Sequence, residues 1–182
     1  DYKKLDFLKN REILLIASGS SVNEFNDVLM NFIEDKNPII IGLNHIPTIG
    51  VDLCFFSNEK RFVEFYETNK DVKLIVTSNI AVENNRKIGV IALNDIYMGY
   101  SNVAILLLSL LINEKIPRVN IAGLDGYKSD ALSNYSYKEY SVITDKNILK
   151  EKNQLIKDGL KSLRDSIQIN FLTPTIFNNK EE

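Results

Sequence analysis

The chain reads as an α/β domain of Rossmann-like, three-layer build, with a largely parallel sheet of about seven strands. Short apolar runs rich in Ile and Val alternate along it with longer amphipathic ones, the pattern of repeating strand-helix units. Most of the short runs are also too apolar to keep one face in water, which suits strands covered on both sides. A length of 182 residues, 45% of them apolar, fits one domain over 1–182 and is enough to bury a core.

The strands fall at Glu12–Ala17, Pro38–Leu43, Val51–Phe56, Val72–Thr77, Ile88–Leu93, Arg118–Ala122 and Ile167–Leu172. Between the first two, Phe25, Val28, Leu29, Phe32 and Ile33 recur at helical spacing, which predicts a helix from about Asn23 to Asp35 with one stripe on the sheet. Phe62, Val63, Phe65 and Tyr66 predict a shorter helix after the third strand. Ile148, Leu149, Leu155, Ile156 and Leu163 predict a long one before the last. A helix from about Ser101 to Glu114 is different, because Val103–Leu108 is apolar all round; such a helix is either central to the core or laid against a partner. Tyr127–Ser141 breaks the rhythm. Rich in Tyr, Ser, Lys and Asn and without a period, it reads as a lid or binding loop.

Charge and cysteine usage narrow the function classes. The 22 basic and 24 acidic side chains nearly cancel, so the basic face of a dedicated nucleic-acid binder is not expected. The one cysteine, Cys54, lies in an apolar run and suits a buried thiol in a reducing compartment. The longest apolar stretch, Val103 to Ile112 interrupted by Ser109, is about half what a bilayer-spanning helix needs. The chain therefore reads as soluble and cytoplasmic, with no membrane span. It begins at Asp1, with charged, linker-like residues through Lys4, as a domain cut from a longer chain would.

Candidate binding residues gather where the strands end. The first strand runs into Ser18-Gly19-Ser20-Ser21 and then a helix, so backbone N–H groups and three hydroxyls meet at a helix amino terminus, a physical site for phosphate. Neither G-x-G-x-x-G nor a Walker A lysine accompanies it, and a plain helix cap explains the same residues. The second strand ends at Asn44, the third at Ser57-Asn58, the fourth at Ser78-Asn79, the fifth at Asn94-Asp95 and the sixth at Asp125-Gly126. In a parallel sheet all of these share one edge, where a crown of amides and hydroxyls can hydrogen-bond a base, ribose or sugar. Ser18, Asn44, Asn58 and Asp125 are expected to converge there. Asn, Ser and Asp are also favoured in ordinary turns. His45, the lone histidine, follows the second strand and reads as a general base, a phosphate donor or a packed side chain. One His and one Cys without clustered carboxylates imply no metal, and no G-x-S-x-G elbow supports a Ser/His/Asp hydrolase.

Several segments together resemble a known domain. Glu12 to Ser21, Asn37-Pro38-Ile39-Ile40, Leu43-Asn44-His45-Ile46-Pro47, Val51-Asp52, Phe55 to Arg61, Thr77-Ser78-Asn79-Ile80, Ala122-Gly123-Leu124-Asp125-Gly126-Tyr127 and Ile169 to Thr175 look like the carboxy-terminal domain of bacterial 4-hydroxy-2-oxovalerate aldolase-like proteins. Those proteins often belong to surface-polysaccharide biosynthesis neighbourhoods. The resemblance implies that any lyase activity belongs to an amino-terminal barrel, absent here, and that an aldolase barrel is a partner. More remotely, the order of a glycine turn, an Asn after the second and third strands, a buried helix and a Gly-x-Asp near Tyr is similar to the sialyltransferases that use CMP-sialic acid, and to pterin pyrophosphokinase-like proteins. In the sialyltransferases the histidine base lies in the lid, whereas Tyr127–Ser141 contains none. Sialyl transfer by that mechanism is therefore not expected.

The leading expectation is a domain that binds a nucleotide or sugar nucleotide through Ser18, Gly19, Ser20, Ser21, Asn44, His45, Asn58, Asn79, Asp125 and Gly126, with no residue assigned to catalysis. Ser18–Ser21 would face phosphate, and Asn44, Asn58, Asn79 and Asp125 the ribose, base or sugar. The alternatives are a sialyltransferase-like glycosyltransferase, in which Asp125, His45 or a lid tyrosine supplies the base, and a non-catalytic module that docks or oligomerises through Val103–Ile112.

Overall fold

Strand β1 (Ile13–Ile16) is buried along its whole length, and its alternate side chains enter two different cores. Ile13 and Leu15 join one cluster, Leu14 and Ile16 another, as the period of two requires of a strand covered on both faces. The computed structural model describes residues 2–66, 72–81, 90–93, 102–130, 134–138 and 143–178. Among these, β2 (Ile39–Leu43), β3 (Leu53–Phe56), β4 (Lys73–Thr77), β5 (Val90–Leu93), β6 (Arg118–Ala122) and β7 (Gln168–Phe171) complete one sheet. Its order is β5-β4-β3-β2-β1-β6-β7, and every pairing is parallel. The chain thus has the α/β, Rossmann-like three-layer fold that the alternating pattern predicts.

The layers follow from the two faces. On one, α4 (Val103–Asn113) and α5 (Lys146–Leu163) pack with Leu5 and Leu8 of a 3-10 helix over Tyr2–Leu8. On the other lie α1 (Ser21–Glu24), α2 (Asn26–Lys36) and α3 (Glu59–Tyr66). Residues 104–108, 110 and 111 of α4 are all buried, in one cluster with the sheet, α5, Leu5 and Leu8. Its all-round apolar character is therefore core, not a docking face. Among the described residues no helix is long and apolar enough to cross a membrane.

Three expectations need correction. The helix from about Asn23 to Asp35 is two helices, with Phe25 between them in a non-helical conformation (φ −111°, ψ 28°). Its apolar stripe is also narrower, since Leu29 is buried but Val28 is 46% exposed. α2 stops at Asn37, whose left-handed backbone (φ 44°) and N–H to the Ile33 carbonyl close the last turn just before Pro38. Tyr2–Lys4 of the expected linker begin a 3-10 helix, and beyond it Leu5 and Leu8, one turn apart, are buried in the core. Of the Ile88–Leu93 strand, only residues 90–93 lie within the described part.

Leu107→Ala, at the centre of α4, should cost about 2–5 kcal/mol because a fully buried leucine leaves a cavity. Val28→Ala should change stability by no more than about 0.5 kcal/mol. Urea unfolding of the two variants checks the contrast; equal losses would mean that α4 is not the core it looks.

Candidate functional site

The sheet order places β1 between β2 and β6, so the chain leaves β1 toward one edge and later returns to build the other. Such a reversal opens a crevice at the strands' carboxyl ends. Here the turns after β1 and β6 are tied together across it. Gly19 N–H donates to the Gly123 carbonyl at 2.8 Å, and a Cβ on Gly19 would stand 2.4 Å from that oxygen. The Asp125 carboxylate accepts from Ser21 N–H at 2.9 Å and from the Ser21 hydroxyl. The start of α1, expected to hold phosphate, thus holds the protein's own carboxylate. Burial raises the Asp125 pKa, against the two Ser21 bonds. Ser20 turns away, donating to Glu24 at 3.2 Å. Behind the turn, the segment after β7 braces it: Thr173 Oγ1 accepts from Gly123 N–H at 2.9 Å, and Ile176 N–H donates to the Asp125 carbonyl at 3.0 Å.

The crevice itself has a volume of about 310 Å³, at the small end of ligand pockets. Ser18, Gly19, Asn44, Asn58, Asp125 and Gly126 line it, as the parallel-edge argument requires, together with Ser57. Ser20, Ser21, His45 and Asn79 do not. Asn44 has a left-handed backbone (φ 53°), and its side-chain oxygen accepts from Ser57 N–H at 2.9 Å. Asn58 caps α3 by accepting from Arg61 N–H at 3.0 Å. Asn79 donates to the Ser57 carbonyl at 3.2 Å and accepts from the Thr77 hydroxyl, outside the crevice. Asn94 and Asp95 lie outside the described residues.

Beside the amides stands an aromatic wall, drawn mostly from the expected lid, with cations that sequence reasoning did not place there. The rings of Tyr127 and Tyr135 are 6.2 Å apart, those of Tyr135 and Tyr137 5.2 Å, and those of Tyr137 and Phe65 5.1 Å. The Arg61 guanidinium lies 5.8 Å from the centre of the Tyr135 ring and 5.4 Å from that of Tyr137, while pairing with Glu64 at 2.9 Å. Burial raises the pKa of Tyr127 and Tyr137, so both stay phenols at neutral pH. Lys60, Lys152 and the cap of α4, Asn102, complete the lining. Among the described residues neither lysine forms an ion pair, and Asp125 is the only acid in the lining. Nothing in the sequence brings Lys152 to Lys60 and Arg61.

The expected lid is this wall in its described parts. Asn134, buried, accepts from Lys128 N–H at 2.6 Å and donates to its carbonyl at 2.9 Å. Ser136 N–H donates to the Ser18 carbonyl at 2.8 Å, and Asn153 on α5 makes both bonds to the Tyr127 backbone at 2.7 and 2.8 Å. Such bonds brace the segment against the core. Tyr140 and Ser141 lie outside the described residues.

His45 is walled off from the crevice by its own chain. β2 and β3 are parallel neighbours, yet the nine residues between them contain no helix; that segment folds back over the sheet instead. Gly42 leaves the room: a Cβ there would stand 2.4 Å from the His45 carbonyl and 2.9 Å from Cys54 Sγ. His45 is consequently 2% exposed, against Phe65 and Tyr137. Its Nδ1 lies 3.1 Å from the Leu43 carbonyl, which can only accept, so Nδ1 carries the proton and Nε2 is bare. Among the described residues Nε2 has no hydrogen-bond partner. Burial pushes the imidazole pKa down to about 4; the Leu43 bond opposes this and the Arg61 charge adds to it. Cys54 is the buried thiol expected of its apolar run, with its pKa pushed up to about 12 by burial.

Comparison with protein-family models, with curated proteins and with solved structures finds no match to this chain. Among the described residues no group of three or more His, Cys, Asp or Glu side chains is placed to hold a metal ion.

Two outcomes follow from these contacts. Gly19→Ala should destabilise the protein by about 1–3 kcal/mol, because its methyl meets the Gly123 carbonyl and the Asp125 carboxylate that Ser21 holds in place; unchanged urea unfolding would refute the close approach. His45 binds its proton more weakly folded than unfolded, so its contribution is full above about pH 6.5 and is lost as pH falls toward about 4. The difference in stability between the wild type and His45→Phe should accordingly change between those pH values and be flat above them. A flat difference throughout would mean that the imidazole is not held neutral.

Proposed function

We propose that this domain binds a nucleotide or sugar nucleotide in the crevice at the carboxyl edge of its sheet. The observation that carries this reading is the composition of one small cavity. It brings together neutral amides and hydroxyls from the ends of β1, β2 and β3, tyrosine rings, and lysines without an ion pair among the described residues. Rings offer a flat apolar surface for a base, amides offer donors and acceptors for ribose or sugar hydroxyls, and unpaired lysines suit phosphate. A free nucleotide or its sugar conjugate presents these three chemistries together.

Binding is favoured over glycosyl transfer by the state of the candidate bases. His45 is buried against Phe65 and Tyr137, Asp125 is engaged by Ser21, and Tyr127 and Tyr137 hold their protons. General-base help is worth about 10²–10⁴ in rate, so transfer without it would be slow. In a longer aldolase-like chain, lyase chemistry would belong to the barrel.

Thermal-shift screening against nucleoside mono- and diphosphates and nucleotide sugars tests the reading. A ligand at about 100 times its dissociation constant adds about 2.7 kcal/mol, which should raise the Tm of a chain this size by roughly 5–10 °C. No shift with any member of the panel would sink the proposal. A shift accompanied by transfer from CMP-sialic acid to a galactoside would replace it with the enzyme reading.

A further inference from the structure

We propose that the ligand's phosphate group docks at the far wall of the crevice, between Lys60, Arg61 and Lys152, rather than at the Ser18–Ser21 turn. The inference rests on the binding reading above and adds the ligand's orientation to it. The turn after β1 already has partners for its Gly19 and Ser21 groups. Its free N–H at Ser21 and the Ser21 hydroxyl both serve the Asp125 carboxylate, so a phosphate there would have to displace one anion with another beside a half-buried acid.

The far wall is electrostatically the opposite. Lys60 and Arg61 sit in the first turn of α3, where the helix dipole disfavours cations, and Asn58 leaves part of that helix end open. Glu59, in the same turn, does not line the crevice. Arg61 is partly balanced by Glu64, but Lys60 has no ion pair among the described residues, and Lys152 on α5 adds a third positive charge to the lining. The amino end of α4, at Asn102, opens on the same space. Three cations and two helix amino termini thus border one small cavity. A phosphate or diphosphate there would face all of them at once, beside the tyrosine rings.

The test is calorimetric titration of inorganic pyrophosphate, with a nucleoside 5′-monophosphate and its parent nucleoside in parallel. Lys60→Gln and Lys152→Gln should each raise the pyrophosphate dissociation constant about tenfold, and added salt should weaken binding. Ser18→Ala and Ser20→Ala should leave it within about twofold, and circular dichroism confirms that each variant is folded. Loss of pyrophosphate binding in the serine variants but not the lysine variants overturns the proposed orientation. So does a nucleoside monophosphate that binds the wild type and both lysine variants alike; that result leaves the proposed function intact. Pyrophosphate binding that needs the lysines, with no gain from any nucleoside moiety, upholds the anion site and overturns the nucleotide reading. If none of the three probes binds, both fall.

Discussion

The junction of the β1 and β6 turns is the contact on which the site depends. Two parallel strands meet there from distant parts of the sequence, and their following turns must approach closely enough for Gly19 to bond Gly123 and Ser21 to bond Asp125. A side chain at Gly19 would hold them apart. The segment after β7 fastens the junction from behind through Thr173 and Ile176. One side of the crevice is positioned from this seam: Ser18 and Gly126 flank it, and the Ser18 carbonyl anchors the tyrosine wall through Ser136.

The seam also decides the electrostatics. By supplying its own carboxylate to the start of α1, the protein removes the most obvious anion site of such folds and leaves positive charge on the opposite wall. The crossover after β2 has a parallel effect on His45. A helix in that place would have stood off the sheet, whereas the short return over Gly42 presses the imidazole into an apolar box and suppresses its titration. Two groups that look like chemistry in the sequence are thus spent on architecture.

The strands were legible because parallel, doubly covered strands are apolar nearly throughout, and their shared direction was enough to bring Ser18, Asn44, Asn58 and Asp125 to one edge. What could not be read depends on adjacency. The Ser21–Asp125 pair exists only because β1 neighbours β6, which no local pattern states. Phe25 belongs to a good helical stripe, and only the turn from α1 into α2 shows that the helix breaks there. Lys60, Arg61 and Lys152 look like ordinary solvated charges until α3 and α5 are placed on opposite sides of the crevice. His45 could have been suspected from Gly42, a glycine inside an otherwise bulky strand, which often marks close backbone approach.

The central position of β1 has a consequence for how the chain is made. Leu14 pairs with Ile40 on one side soon after both have been synthesised, but on the other side it pairs with Asn120. Until β6 has emerged from the ribosome, the most apolar strand of the sheet keeps one ladder of N–H and C=O groups unpaired, and α4 has only part of its burial. The growing chain therefore passes through a stage in which its future centre is an edge, open to another nascent copy, and the arrival of a single five-residue strand closes it.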